Sequence, residues 1–300
     1  TITIGQVTEG EKSLRTISAD TTLGWKKGGL FAVNLAQTSL TNWAAGGQNS
    51  VAVNGIFSIF ANLKREKDNW DNSLDLGYGL LKQGDQGFRK TDDKIDLLSK
   101  YGRQAVKNLY YAALFNFKTQ MQPGYKYTGD DDKEKISNLF APAYMLLAIG
   151  LDYKPNKKTS INFSPLSYKA TFVPDTGRID QTIYGITANR RSKHEPGMSF
   201  LISNEYQPFK SVTMTNRLQL FTNYTHNPQN IDVDWEMILT ANLNWFTDVR
   251  VNTHLIFDDD TKTVEYDREN NPVLGSDGKP KKTSRIQFKE LLGFSFIFRF

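Results

Sequence analysis

The chain of 300 residues has no cysteine and only three histidines, His194, His226 and His254. The first absence excludes disulfides and thiolate metal sites, and it suits an oxidising envelope compartment. The second leaves little imidazole for acid–base or metal work. No run of about 18 uncharged apolar residues occurs, which excludes transmembrane helices. Also missing are an H-E-x-x-H pair, a phosphate-binding glycine loop and a dinucleotide fingerprint. The net charge of +5 is a small excess of 37 Lys and Arg over 32 Asp and Glu. The cations are interspersed with acids rather than gathered on one face, which excludes nucleic acid as a partner.

What the chain does have is aromatic residues, at 12%, and a sustained period of two. The last fifteen residues show it best. Phe300, Phe298, Phe296, Phe294 and Leu292 alternate with Arg299, Ile297, Ser295, Gly293 and Leu291. A stretch of this length with one oily face exceeds the roughly 9–11 residues that a tilted strand needs to cross a bilayer. Upstream, Val51, Val53, Phe57 and Ile59 alternate with Asn54 and Ser58. Val233, Trp235, Met237 and Leu239 alternate with Asp232, Asp234, Glu236 and Thr240. The segment from Leu139 to Tyr153 is apolar on both faces and cannot be oriented by period. Pro165 marks a bulge in the strand from Ser160 to Phe172.

The connections alternate as well. REKD, QAVK, KPNKK, QPFK and TD are short, whereas TNWAAGGQN, KQGDQGFRKTDD, MQPGYKYTGDDDKEK and the stretches after Phe172 and Phe257 are mostly longer and polar. Short turns on one rim and long loops on the other belong to outer-membrane barrels. The expectation is an all-β fold: a transmembrane, antiparallel, up-and-down β-barrel of about twelve strands, with short periplasmic turns and long extracellular loops. Residues 1–28 read as a periplasmic lead-in and 29–300 as a single barrel domain. No signal peptide precedes Thr1, so a mature chain with its export signal removed, or a fragment, is expected. The location is then the outer membrane of a Gram-negative bacterium, with both termini periplasmic. Trp70, Tyr153, Phe163, Trp245 and Phe300 are expected at the short-turn rim, and Tyr224, Trp235, Phe257 and Phe288 at the other.

The segment GWKKGGLFAVNLAQTSLTNWAAGGQNS and the closing RIQFKELLGFSFIFRF together resemble an uncharacterised family of Bacteroidota envelope proteins (domain of unknown function 3078). The residues that carry this are Trp25, Gly28, Gly29, the turn Asn42-Trp43-Ala44-Ala45-Gly46-Gly47 with Asn49, and Gln287 to Glu290. The resemblance implies an outer-membrane barrel in that phylum and implies no activity. Physically, Gly46 and Gly47 permit positive φ and a sharp first hairpin. Trp43 packs such a turn onto the wall or into the lumen.

Strand parity places Asp75, Lys118, Arg217, Glu236, Arg250, His254 and Lys289 on the inner face, where charges must pair or line water. Phe294, Phe296, Phe298 and Phe300 are expected to face lipid. Bulky inward residues such as Phe221, Ile238, Leu291 and Ile297 argue for a narrow or occluded bore. His194 and His226 read as loop residues, and no serine is placed beside His254. The acidic runs Asp130–Asp132 and Asp258–Asp260 lack the spacing of a calcium loop. No catalytic residue, metal ligand or cofactor is therefore expected. The expected role is a non-catalytic structural or accessory subunit of an outer-membrane assembly. The alternatives are a narrow channel for small polar solutes and a lipid- or glycan-modifying enzyme. Expected partners are outer-membrane lipid and lipopolysaccharide, and other outer-membrane proteins.

Overall fold

The structure, a computed structural model, describes residues 23–39, 48–127, 133–156, 158–243, 247–259, 262–265, 267, 272–275, 278 and 281–299. Among them the strands are β1 (Gly24–Thr38), β2 (Ser50–Lys64), β3 (Asp68–Gln83), β4 (Arg89–Val106), β5 (Leu109–Thr119), β6 (Gly124–Tyr127), β7 (Lys133–Ser137) and β8 (Ala143–Asn156). They continue as β9 (Thr159–Phe172), β10 (Ser192–Phe209), β11 (Val212–Asn223), β12 (Asp232–Asn242), β13 (Thr247–Phe257), β14 (Lys262–Val264), β15 (Lys282–Ser284) and β16 (Gln287–Arg299). Twelve of them form one closed antiparallel barrel in the order β1-β16-β13-β12-β11-β10-β9-β8-β5-β4-β3-β2. The pairs β6–β7 and β14–β15 are small hairpin sheets in the loops.

Side-chain alternation decides which way each wall segment faces. In β2, Val51, Val53, Phe57 and Ile59 are exposed while Ala52, Asn54, Ile56 and Ser58 are buried. In β8, Leu147, Ile149, Leu151 and Tyr153 are exposed while Ala148 and Asp152 are buried. Large apolar side chains outside and polar ones inside is the reverse of a water-soluble protein. It is the arrangement that hydrocarbon demands, because a closed ring leaves no backbone group unpaired. Trp70, Tyr153 and Phe163 are exposed near the short-turn rim, and Trp25 meets Trp70 there with ring centroids 6.0 Å apart. Tyr224, Trp235 and Phe288 are exposed toward the other rim.

Three expectations change. The strand expected from Leu30 begins at Gly24, with Gly24 opposite Lys64 and Gly28 opposite Phe60, so residues 24–28 belong to the barrel rather than the lead-in. The twelve-residue loop KQGDQGFRKTDD shrinks to residues 84–88, because β3 runs to Gln83 and β4 starts at Arg89. Lys82, Arg89, Lys90, Asp92 and Asp93 are thereby strand residues, and Lys90 Nζ donates to Asp93 Oδ2 at 2.8 Å. His194, expected in a loop, lies in β10 opposite Ala170 of β9. The Pro165 bulge is present: Ser199 and Gly197 of β10 stand opposite Ser164 and Ser167.

At the seam, Leu30, Phe31, Ala32 and Val33 of β1 stand opposite Arg299, Phe298, Ile297 and Phe296 of β16. Phe298 is thereby registered against Phe31, which is exposed. The side chains of Phe294, Phe296 and Phe298, and all of Phe300, lie outside the described residues, as do Trp43, Gly46, Gly47 and Trp245.

Candidate functional site

The inner wall carries charge at three levels. Toward the short-turn rim, Asp152 of β8 is 1% exposed and meets Lys100 of β4 at 3.0 Å and Lys154 at 3.5 Å. Ser160 of β9 donates to its other oxygen. Midway, Asp96 of β4 accepts from Asn116 at 2.6 Å and lies 3.6 Å from Lys94 and 3.9 Å from Lys118. Asp75, also buried, is registered opposite Asp96. Toward the long-loop rim, Lys169 of β9 reaches Asp232 at 2.7 Å, Asp258 at 3.3 Å and Glu195 at 3.7 Å. Glu195 also pairs with Lys193 at 2.9 Å. A buried carboxylate is tolerated only with such partners.

Among the described residues the middle of the bore is closely packed, with Asn54, Asp75, Asp96, Ser199 and Ile238 all buried. Leu114, Leu146, Leu201 and Arg217, with Asn116 and Gln219, surround a void of only about 10 Å³. Lys118 of β5 and Arg217 of β11 both act electrostatically on Asp234 of β12. β5 and β12 stand five places apart in the ring of twelve, so that interaction crosses the bore. Phe221 and Ile238 are buried on the same inner face.

Above the long-loop rim the loops form a cap. Lys90 donates to Gln120 Oε1 at 3.1 Å and to the Gln122 carbonyl at 2.7 Å. The Asp93 carboxylate accepts from the backbone N–H of Met121 and of Gln122, each at 2.7 Å. Asp175, in the β9–β10 loop, accepts from Lys135 and Asn138, each at 3.2 Å. Those hydrogen bonds, Lys135 first, hold its carboxyl below the usual carboxylate range. Ala141, Val173, Ile179 and Ile186 form a buried apolar knot, with Tyr184 packed against it. Tyr184 ends a 3₁₀ turn, Gln181–Tyr184, and its hydroxyl donates to the Ile136 carbonyl at 2.6 Å. Burial pushes that phenol up to about 12. Tyr184 and Asp258 both lie within electrostatic reach of Tyr144, whose neighbours across the sheet are the inner-face residues Lys118 and Thr171.

Of the expected inner-face residues, Asp75, Lys118, Arg217, Glu236 and His254 occupy inner positions. Arg217 stands opposite Glu236 and donates to Gln219 at 3.4 Å. His254 lies 2.8 Å from Asp234 and is registered between Glu236 and Lys289. The side chains of Arg250 and Lys289 lie outside the described residues. Asn49 is exposed, and its carbonyl accepts from Gly84 N–H at 2.8 Å. Among the described residues no group of His, Asp and Glu is arranged to hold a metal ion. Asp258 is committed to Lys169, and Asp259 accepts from Asn230 at 2.7 Å.

One arrangement escaped sequence reasoning. On the outer face near the long-loop rim, Tyr168 Oη lies 2.7 Å from His194 Nδ1, and Ser192 Oγ lies 2.9 Å from His194 Nε2. The imidazole stacks on Tyr168 and meets Phe172 edge-on, with both centroid distances 5.9 Å. Extending the β10 period two residues before Met198 past Pro196 would have placed Ser192 and His194 together, but proline and the basic run around them read as loop.

A closed ring with apolar exterior, charged interior and loops on one rim defines an outer-membrane-type β-barrel. A family model described as a protein of unknown function (DUF3078) matches residues 35–125, which bears out the resemblance read from the Trp43–Asn49 turn. Trp25 and Gln287–Glu290 fall outside that match. No curated protein matches the chain. Three solved structures are similar in outline. The translocator domain of autotransporter NalP from Neisseria meningitidis is 11% identical, with 95% of this chain and 94% of that one covered and a TM-score of 0.40. An outer-membrane channel from Pseudomonas putida F1 is 9% identical, with 99% and 100% covered and a TM-score of 0.44. OmpT, an outer-membrane protein of Vibrio cholerae, is 8% identical, with 92% and 97% covered and a TM-score of 0.30. At such distance these likenesses carry nothing about activity.

Proposed function

We propose that this chain is a non-catalytic barrel of the outer membrane, serving as a structural or accessory subunit of an outer-membrane assembly, with both termini periplasmic. The observation behind it is the close packing of the described mid-bore residues: the void between Leu114, Leu146, Leu201 and Arg217 is about 10 Å³ and holds at most one water. A path for polar solutes would need that packing undone. The inner-face charges serve instead to cross-brace the wall: Asp96, Asp152, Glu195, Asp232, Asp234 and Asp258 are each engaged by a lysine, asparagine or histidine. The first residues of β1 and the last of β16 lie on the rim of the short turns, which is periplasmic in bacterial barrels.

The test is to purify the full chain in mild detergent and to record it in planar bilayers. A stable complex with another envelope protein and a silent bilayer are expected. Steady unitary conductance would replace the reading with the channel one, and a lone monomer would remove the assembly. Catalysis is checked at the exposed Ser192–His194 pair. Ester hydrolysis in lipid vesicles is expected at background both in the native chain and in Ser192→Ala, and Ser192-dependent turnover would refute the non-catalytic reading.

A further inference from the structure

The rim of β9 and β10 differs from the rest of the wall. Arg190 and Arg191 precede β10, and both are exposed. The turn that presents them is defined, with Asn189 at φ 68°, Arg190 N–H donating to the Thr187 carbonyl at 3.0 Å and Val173 N–H donating to the Arg191 carbonyl at 2.8 Å. Neither guanidinium makes an ion pair among the described residues, whereas Lys90, Lys100, Lys135, Lys154, Lys169 and Lys193 all do. Three residues beyond Arg191, His194 is held between Ser192 and Tyr168, so its ring is fixed against the wall. Below it, toward mid-membrane, the outer face is apolar and exposed at Leu166, Ile149, Leu147 and Met198.

A pair of uncommitted guanidinium groups at the edge of a lipid-facing apolar strip matches one kind of ligand. The arginines offer forked donors suited to phosphate oxygens, the imidazole and tyrosine sit at headgroup depth, and the aliphatic strip accepts acyl chains. We propose that Arg190 and Arg191, with His194 beside them, form a binding site for the phosphate of a phosphorylated lipid, its acyl chains lying along β8, β9 and β10. The site needs the barrel to be in a membrane, but it does not depend on the assembly reading or on a closed bore.

The experiment places the full chain in phosphatidylcholine nanodiscs with a minor fraction of diphosphorylated lipid A or of its dephosphorylated form. Retained lipid is counted by native mass spectrometry after transfer to mild detergent. The native chain is expected to retain the phosphorylated lipid about tenfold better than Arg190→Ala/Arg191→Ala, corresponding to the loss of charge-assisted hydrogen bonds. His194→Ala is expected to lose a smaller part. Arg65→Ala/Lys67→Ala, at the opposite rim, is expected to retain it fully. All these side chains are exposed, and heat-modifiability on gels verifies that each variant is folded. Equal retention by the Arg190/Arg191 variant, equal retention of the dephosphorylated lipid, or loss only in the Arg65/Lys67 variant would overturn the proposal. Displacement of the lipid by inorganic phosphate at equal phosphate concentration would show that the acyl chains contribute nothing, and would overturn it as a lipid site.

Discussion

Among the described residues, Lys169 meets three carboxylates. It faces Asp232, Asp258 and Glu195 at 2.7, 3.3 and 3.7 Å, and it lies 5.1 Å from the Phe221 ring. Replacing it with methionine keeps the volume of the stem and removes the cation, leaving a cluster of acids in which Glu195 is held by Lys193 and Asn223. Loss of one member of such a cluster costs about 3–5 kcal/mol. Lys169→Met is therefore expected to lower the unfolding midpoint in vesicles by a corresponding amount, with partial recovery on adding Asp232→Asn. Parity in the sequence put Asp75, Lys118, Arg217, Glu236 and His254 inside, but it was blind to Lys169. Pro165 shifts the period by one within that strand, so residues on its two sides cannot be assigned to a common face without knowing the bulge.

At the scale of the element, that bulge is seated by glycine. A Cβ on Gly150 of β8 would lie 2.0 Å from the Phe163 carbonyl oxygen, and one on Gly197 of β10 would lie 2.0 Å from the Thr222 carbonyl oxygen. Backbone cannot swing aside as a lysine tip can. Gly150→Ala is expected to cost about 1–3 kcal/mol and to lower refolding yield. Gly87→Ala, in the β3–β4 turn with nothing within 4 Å, is expected to stay within about 0.5 kcal/mol of the native chain. Comparing the two by folding yield in detergent checks the claim.

The cap offers a pH test with a definite sign. Asp175 is held below its ordinary range, chiefly by the hydrogen bond from Lys135. A depressed carboxyl contributes stability that is fully present above its unfolded value, about 3.9, and is lost as the pH falls through its folded one. Amide exchange in β7, corrected for intrinsic rates, is expected to rise relative to β8 on acidification. In Asp175→Asn that dependence should vanish. No part of this cap could be read from the sequence. Its knot of Ala141, Val173, Ile179 and Ile186 joins two loops through residues that follow neither a strand nor a helix period.

For the whole molecule, the ring was legible because most of the segments repeat one alternation and the connections between them alternate in length, even where, as from Leu139 to Tyr153, a segment is apolar on both faces. The seam was legible only as a topological requirement. Among the described residues, four of each strand are in register there, from Leu30 to Val33 against Arg299 to Phe296, whereas β1 and β2 are matched along their full fifteen. A hoop gives way where its overlap is shortest. Heat or detergent should thus part β1 from β16 before any other pair. Because the sequence has no cysteine, a cysteine pair at positions 32 and 297, which are registered opposite each other across that overlap, would act as a single rivet. Riveted and unriveted barrels would then differ in how hot they must be made before the wall opens.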